Sequence, residues 1–167
     1  MGEVKTVPAR SEVRKEDTWA LEDMYADRQA WETAFAGAKE LAEQAASYAG
    51  KLGESAENLF DYCRLDEELE CVLSEVYGYA SRVKDQDTSD AEGQTLEARA
   101  MGLYVECSGM TSFAGPEILA VSDEKLESFY AEKPELERYR RSIGELRRCR
   151  RTPEKWRRRR ARYIRCS

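Results

Sequence analysis

Wherever apolar residues gather in this chain they recur every three or four positions, and over no sustained stretch do they alternate with polar ones. Trp31, Phe35, Ala38, Leu41, Ala42, Ala45 and Tyr48 form one such series; Leu69, Leu73, Val76, Tyr77, Ala80 and Val83 form another. Leu96, Ala100, Leu103, Cys107 and Met110 make a third. A period near 3.6 puts every member of a series on one side of a helix and the intervening Glu and Lys on the other. Strands need a period of two, so the pattern predicts an all-α fold with almost no sheet.

Helix starts and stops divide these series. Asp17 and Thr18 are placed to cap a short helix at Trp19, and Asp27 to cap the helix that carries Trp31 and Phe35. Trp19 and Tyr25 would then anchor the short helix onto the longer one. Gly50 and Gly53 end that longer helix, and Ser55 caps a short one through Leu59, Phe60 and Cys63. Asp66 is read as opening the next helix, residues 85–92 as the turn after it, and Gly115-Pro116 as the break that follows Met110. Ser122 caps a helix with Leu126, Phe129 and Tyr130, and Pro134 suits the first turn of one with Leu136, Tyr139, Ile143 and Leu146. The sum is an antiparallel bundle of helical hairpins, about six to seven helices in all. No repeat of fixed period supports a solenoid.

A chain of 167 residues suits one domain and can bury roughly 70% of its unfolded surface. With 36% charged residues and only ten Gly and four Pro, the composition is that of a helical protein. No run of eighteen apolar residues offers a membrane span, and the opening MGEVKTVPARSEVRKED lacks the apolar centre of a signal peptide, so the expected location is cytoplasmic. The five cysteines, Cys63, Cys71, Cys107, Cys149 and Cys166, are odd in number and never spaced C-x-x-C. Cys63, Cys71 and Cys107 read as small buried residues rather than as disulfide or zinc partners.

The chemistry missing from the chain is as informative. There is no histidine, so the commonest general base, metal ligand and partner for a Ser or Cys nucleophile is absent. Asp85, Asp87 and Ser89 have the first spacings of a calcium loop, but the sixth position is Asp90 instead of Gly and the twelfth is Leu96 instead of Glu. Gly50-Lys51-Leu52-Gly53 lacks the phosphate-loop pattern and follows a helix, so it reads as a helix stop. Glu67, Glu68 and Glu70 belong on a solvated face and form no paired acid and base. No catalytic, cofactor-binding or metal-binding residue is assigned.

Charge is divided sharply along the chain. Residues 1–137 carry a balance of −18 and residues 138–167 one of +12. The final run, RRCRRTPEKWRRRRARYIRCS, could neutralise phosphates with its arginines while Trp156 and Tyr163 stack on bases. An acidic body would repel such a polyanion, and nucleic-acid binding is not favoured.

Taken in order, DTWALEDMYADRQAWETAF, YAGKLGESAENLF, LDEELECVLSEVYGYASRVKDQDTSDAEGQ and LYVECSGMTSFAGPEILAVSDEKLESF resemble the N-terminal region of oligoendopeptidase F, a family of cytosolic zinc metallopeptidases of the M3 type. The resemblance runs from about Glu12 to Arg148. It includes the Gly-Lys-Leu turn and the break at Pro116-Glu117-Ile118-Leu119. It implies a helical lobe that faces a catalytic lobe across a channel and admits short peptides by shape. Members are several times longer than this chain; their zinc is held by an H-E-x-x-H helix and a later Glu, none of which occurs here. Zinc is thus expected only in a catalytic domain outside these residues.

Three segments are expected on this basis: a flexible N-terminus over 1–16, a helical lobe over 17–148, and an Arg-rich stretch over 149–167 that departs from the family and reads as disordered or frameshifted. The expected function is that of the non-catalytic, shape-selecting fragment of a peptidase, with oligopeptides as partners of the full-length enzyme. Self-association through uncovered apolar surface is also expected. The alternative is a stand-alone helical interaction module whose basic tail binds an acidic partner or nucleic acid.

Overall fold

The structure is a computed structural model that describes residues 10–150, and no strand occurs among the described residues. Three single-turn 3-10 helices, Arg10–Glu12, Lys15–Asp17 and Leu21–Asp23, come first. They lead into α1 (Arg28–Ala46), α2 (Ala56–Gln86), α3 (Ala91–Met110), α4 (Ala114–Ala120) and α5 (Asp123–Glu132). A 3-10 segment, Pro134–Tyr139, then runs directly into α6 (Arg140–Arg150). The all-α expectation holds.

The α-helices are fewer than the separate apolar series suggested. The short helix through Cys63 and the longer one expected to open at Asp66 are one continuous helix, α2. Tyr62, Leu65, Leu69 and Leu73 are all buried and follow one stripe through the expected boundary. An Asp inside a helix costs well under ~1 kcal/mol, whereas each buried Leu contributes about 1.5–3 kcal/mol, so burial decides. Pro116 does not sit in a break either. The stop falls at residues 111–113, and Pro116 lies in the first turn of α4, where its missing N–H has no helical acceptor to lose.

The chain divides into two compact units. One takes in the described residues up to Gln44 together with Asp66–Met110. Its core brings together Trp31, Ala38 and Ala42 of α1, Leu69, Leu73, Val76 and Ala80 of α2, and Leu96, Ala100, Leu103 and Cys107 of α3. Trp31 is fully buried, and its indole N–H donates to the Val76 carbonyl at 3.0 Å, so the polar atom of the largest core side chain is satisfied. Arg99 of α3 donates both terminal nitrogens to the two Glu32 oxygens at 2.7 Å and lies over the Trp31 and Phe35 rings. Lys84 joins Glu97 at 2.6 Å and ties α2 to α3.

The second unit takes in Ala45–Leu65 and the described residues from Thr111 onward. Leu52, Leu59, Ile118, Leu126, Phe129, Leu136 and Ile143 are buried there. The rings of Tyr62 and Phe113 meet edge-on with centroids 5.6 Å apart. Arg147 of α6 donates to the carbonyls of Ile118 and Val121 at 3.1 and 2.8 Å. It thereby satisfies acceptors that the end of α4 leaves unpaired.

Four caps form as their sequences imply or by the same mechanism. Asp27 accepts from Ala30 N–H at 2.8 Å, Ser55 from Asn58 N–H at 3.1 Å, Asp90 from Gly93 N–H at 3.0 Å and Ser122 from Lys125 N–H at 3.2 Å. The cap expected from Asp17 and Thr18 does not form. Thr18 turns its hydroxyl back to donate to the Lys15 carbonyl, Asp17 pairs with Arg14, and Ala20 precedes the Leu21 turn without a side-chain cap. Trp19 is 54% exposed, while Tyr25 does pack, edge-on against Tyr79 at 5.3 Å.

Cys107 is fully buried and Cys63 half-buried, but Cys71 is exposed. It lies two positions beyond Leu69, about 200° around the helix from the buried stripe.

Candidate functional site

The two irregular motifs quoted above, the Gly-Lys-Leu turn and Pro116-Glu117-Ile118-Leu119, meet in the second unit. After α1 ends, Gly50 adopts a left-handed conformation with φ of 82°, which frees successive N–H groups to point one way. Glu117 of α4 fills that concavity. One carboxylate oxygen accepts from Gly50 N–H at 2.6 Å and the other from Leu52 N–H at 3.3 Å. The turn is braced further by Lys51, which donates to the Ser47 carbonyl at 2.8 Å, and by Asn58, which donates to the Lys51 carbonyl at 3.3 Å.

Beside this contact lies an open depression of about 390 Å³, lined by Gly50, Gly53, Glu117, Val121, Ser122 and Lys125. Its polar groups are already committed. Both Glu117 oxygens hold the turn, the Ser122 hydroxyl caps α5, and the Lys125 ammonium lies 5.6 Å from the Phe129 ring centre. No nucleophile stands beside a base here, so the arrangement organises a turn and performs no bond chemistry. In the other unit, a groove of about 470 Å³ is lined by Arg10, Lys15, Trp19, Glu22 and Gln86, with Lys15 paired to Glu22 at 3.4 Å. It holds an exposed indole between charges but no catalytic pair.

The remaining sequence candidates are placed as follows. Glu67, Glu68 and Glu70 are exposed on α2. Asp87 accepts from the N–H and hydroxyl of Ser89 at 2.9 and 2.6 Å, bonds that hold its carboxyl below the usual carboxylate range. Asp90 is occupied as the cap of α3. These residues serve a turn, with their oxygens directed to backbone donors. Trp156, Tyr163, Cys166 and the arginines beyond Arg150 lie outside the described residues, as do residues 1–9 of the expected N-terminal segment.

Zinc does not fit the residues present. The sequence has no histidine, and no group of three or more His, Cys, Asp or Glu able to hold a metal occurs among the described residues. No helix among the described residues is long and apolar enough to cross a membrane.

Sequence reasoning identified the two motifs but not the contact between them. A lone Glu after Pro looks like any first-turn acid on a helix, and a partner 67 positions away leaves no periodic trace.

Comparisons with known proteins point to one family. The family profile described as Oligopeptidase F matches residues 117–152, beginning at the Glu that fills the turn. Oligopeptidase PepF of Bacillus subtilis is 38% identical over 140 residues, which are 84% of this chain and 21% of that protein. Group B oligopeptidase PepB of Streptococcus agalactiae is 33% identical over 130 residues, 78% of this chain and 22% of that protein. Among solved structures, oligoendopeptidase-F from Enterococcus faecium superposes with a TM-score of 0.66 at 28% identity, covering 72% of this chain and 24% of that one. A structure from Chlamydophila abortus shares the fold alone, with a TM-score of 0.73 at 22% identity over 86% of this chain and 24% of that one. Fold and sequence together define the class: an all-helical chain similar to one part of the oligopeptidases. The chain belongs to the oligopeptidase F family, and it spans about a fifth of the length of the curated relatives it matches.

Proposed function

We propose that this chain is the N-terminal, shape-selecting lobe of an oligoendopeptidase F-like zinc metallopeptidase that hydrolyses short peptides in the cytoplasm. The observation that carries the reading is the 38% identity over 140 residues to Bacillus subtilis oligopeptidase PepF, confined to 21% of that protein. Residues 17–148 form the lobe on this reading, and residues 149–167 stand apart from it. The lobe restricts access to the channel by its shape. Zinc and the base that works with it belong to polypeptide beyond these 167 residues, and no residue from 1 to 167 takes a catalytic or metal-binding part.

The purified chain, assayed with a mixed oligopeptide library and added zinc, is expected to release no fragments above the buffer rate. Turnover that a chelator abolishes would overturn the reading. The matches favour it over a stand-alone interaction module. Apolar surface left uncovered on the isolated lobe makes self-association the expected behaviour in solution.

A further inference from the structure

α3 is apolar on two sides. Its inner side is the buried series Leu96, Ala100, Leu103 and Cys107. On its outer side Met101 is 45% and Val105 63% exposed, and Thr95, Ala98, Gly102 and Ser108 around them are exposed as well. None of these six carries a charge, in a chain that is 36% charged. Thr95, Ala98, Gly102 and Val105 are spaced three, four and three apart, the seam period of paired helices. A Cβ added at Gly102 would meet nothing within 4 Å, so a neighbouring backbone could approach closely there.

The face is also complementary to itself. If two α3 helices run antiparallel about a two-fold axis between Met101 and Gly102, Val105 falls opposite Ala98, Met101 opposite Gly102, and Thr95 opposite Ser108. Each large residue then meets a small one, as interdigitating layers require, and the same patch serves both partners, as a two-fold interface demands. A seam made by one helix covers less than the ~800 Å² per partner of a standard stable interface, so the pair must be a dissociable one.

We propose that two copies of this chain pair through this face of α3. The proposal rests on the self-association inferred above, and its failure would leave untouched the identity to Bacillus subtilis oligopeptidase PepF that carries the peptidase reading. Sedimentation velocity of the full 167-residue chain, from micromolar to millimolar concentration, tests it. The expected result is a concentration-dependent dimer whose dissociation constant rises at least tenfold in both Gly102→Leu and Val105→Lys. Gly102→Leu is the sharper variant: its side chain points into open space in the single chain and Leu is the better helix former. Helical circular dichroism is therefore expected to be kept or increased while pairing is lost. A monomer at every concentration overturns both the proposal and the self-association, and leaves the face to the polypeptide by which the relatives exceed this chain. Association of undiminished strength in both variants overturns the α3 face alone.

Discussion

Glu117 and Gly50 are 67 positions apart in sequence and 2.6 Å apart in space. The carboxylate supplies the acceptor that the left-handed turn lacks, and it links α4 to the segment that follows α1. Removing it leaves the Gly50 and Leu52 N–H groups without a protein partner. Glu117→Ala is expected to lower unfolding free energy by about 1–3 kcal/mol, and Glu117→Gln, which keeps one acceptor oxygen, by about half as much. Urea titration followed by circular dichroism measures both. An unchanged midpoint for Glu117→Ala would show that water replaces the carboxylate without loss.

Gly93 and Gly37 are both helical, and the structure assigns them opposite responses to alanine. A Cβ on Gly93 would meet the backbone of Lys84 at 3.0 Å, where the start of α3 crosses the end of α2. At Gly37 nothing lies within 4 Å. Gly37→Ala should gain roughly 0.5–1 kcal/mol from helix propensity alone. For Gly93→Ala that gain is outweighed by overpacking, and a net loss of about 1–2 kcal/mol is expected. Thermal melts of the two variants side by side decide the matter; equal shifts would mean that the two helices separate freely.

The Arg99 fork, with Arg28 in support, holds the Glu32 carboxyl down from 4.5 to about 2. A carboxyl whose folded value is depressed stabilises the fold above its unfolded value and loses that contribution as pH falls toward the folded one. Stability from this pair is therefore complete above about pH 4.5 and declines between there and about pH 2. In Arg99→Met the decline from pH 5 to pH 2 should be shallower than in the parent. Melting temperatures recorded across that range test it, and parallel acid limbs would remove Glu32 from the account.

Thiol reactivity should separate the cysteines. Burial pushes the Cys107 thiol up, and its sulfur points at the Ala38 carbonyl 3.9 Å away inside the core. Cys71 is exposed on α2. A disulfide reagent should label Cys71 within minutes and Cys107 only after unfolding, with peptide mapping to assign the sites. Prompt labelling of Cys107 in the native chain would mean that α1 and α3 part readily.

Burial was largely legible from the periodic series. Leu69, Leu73, Val76 and Ala80 announce their side of α2 by spacing, and Asp27, Ser55 and Ser122 announce helix starts because the interaction is local. Boundaries were less legible where two local signals competed. Asp66 has the chemistry of a cap, but the stripe from Tyr62 through Leu73 continues past it and burial prevails. At Trp19 the aromatic suggested an anchor, yet Thr18 closes on Lys15 and the indole is more than half exposed. The site was the least legible part. The Gly50–Glu117 contact depends on how distant segments meet, and neither residue's neighbours encode that.

Each of the two units is assembled from separate stretches of chain, with Ala45–Leu65 interrupting one and Asp66–Met110 interrupting the other. A contiguous piece cut from this sequence therefore cannot contain one whole unit and nothing else. A chain broken before Thr111 would keep Leu52 and Leu59 while discarding Ile118, Leu126, Phe129 and Leu136, the residues buried with them in the same unit. Genetic dissection of this chain has to proceed by circular permutation or by substitution, because deletion from either end removes parts of both units before it has removed all of either.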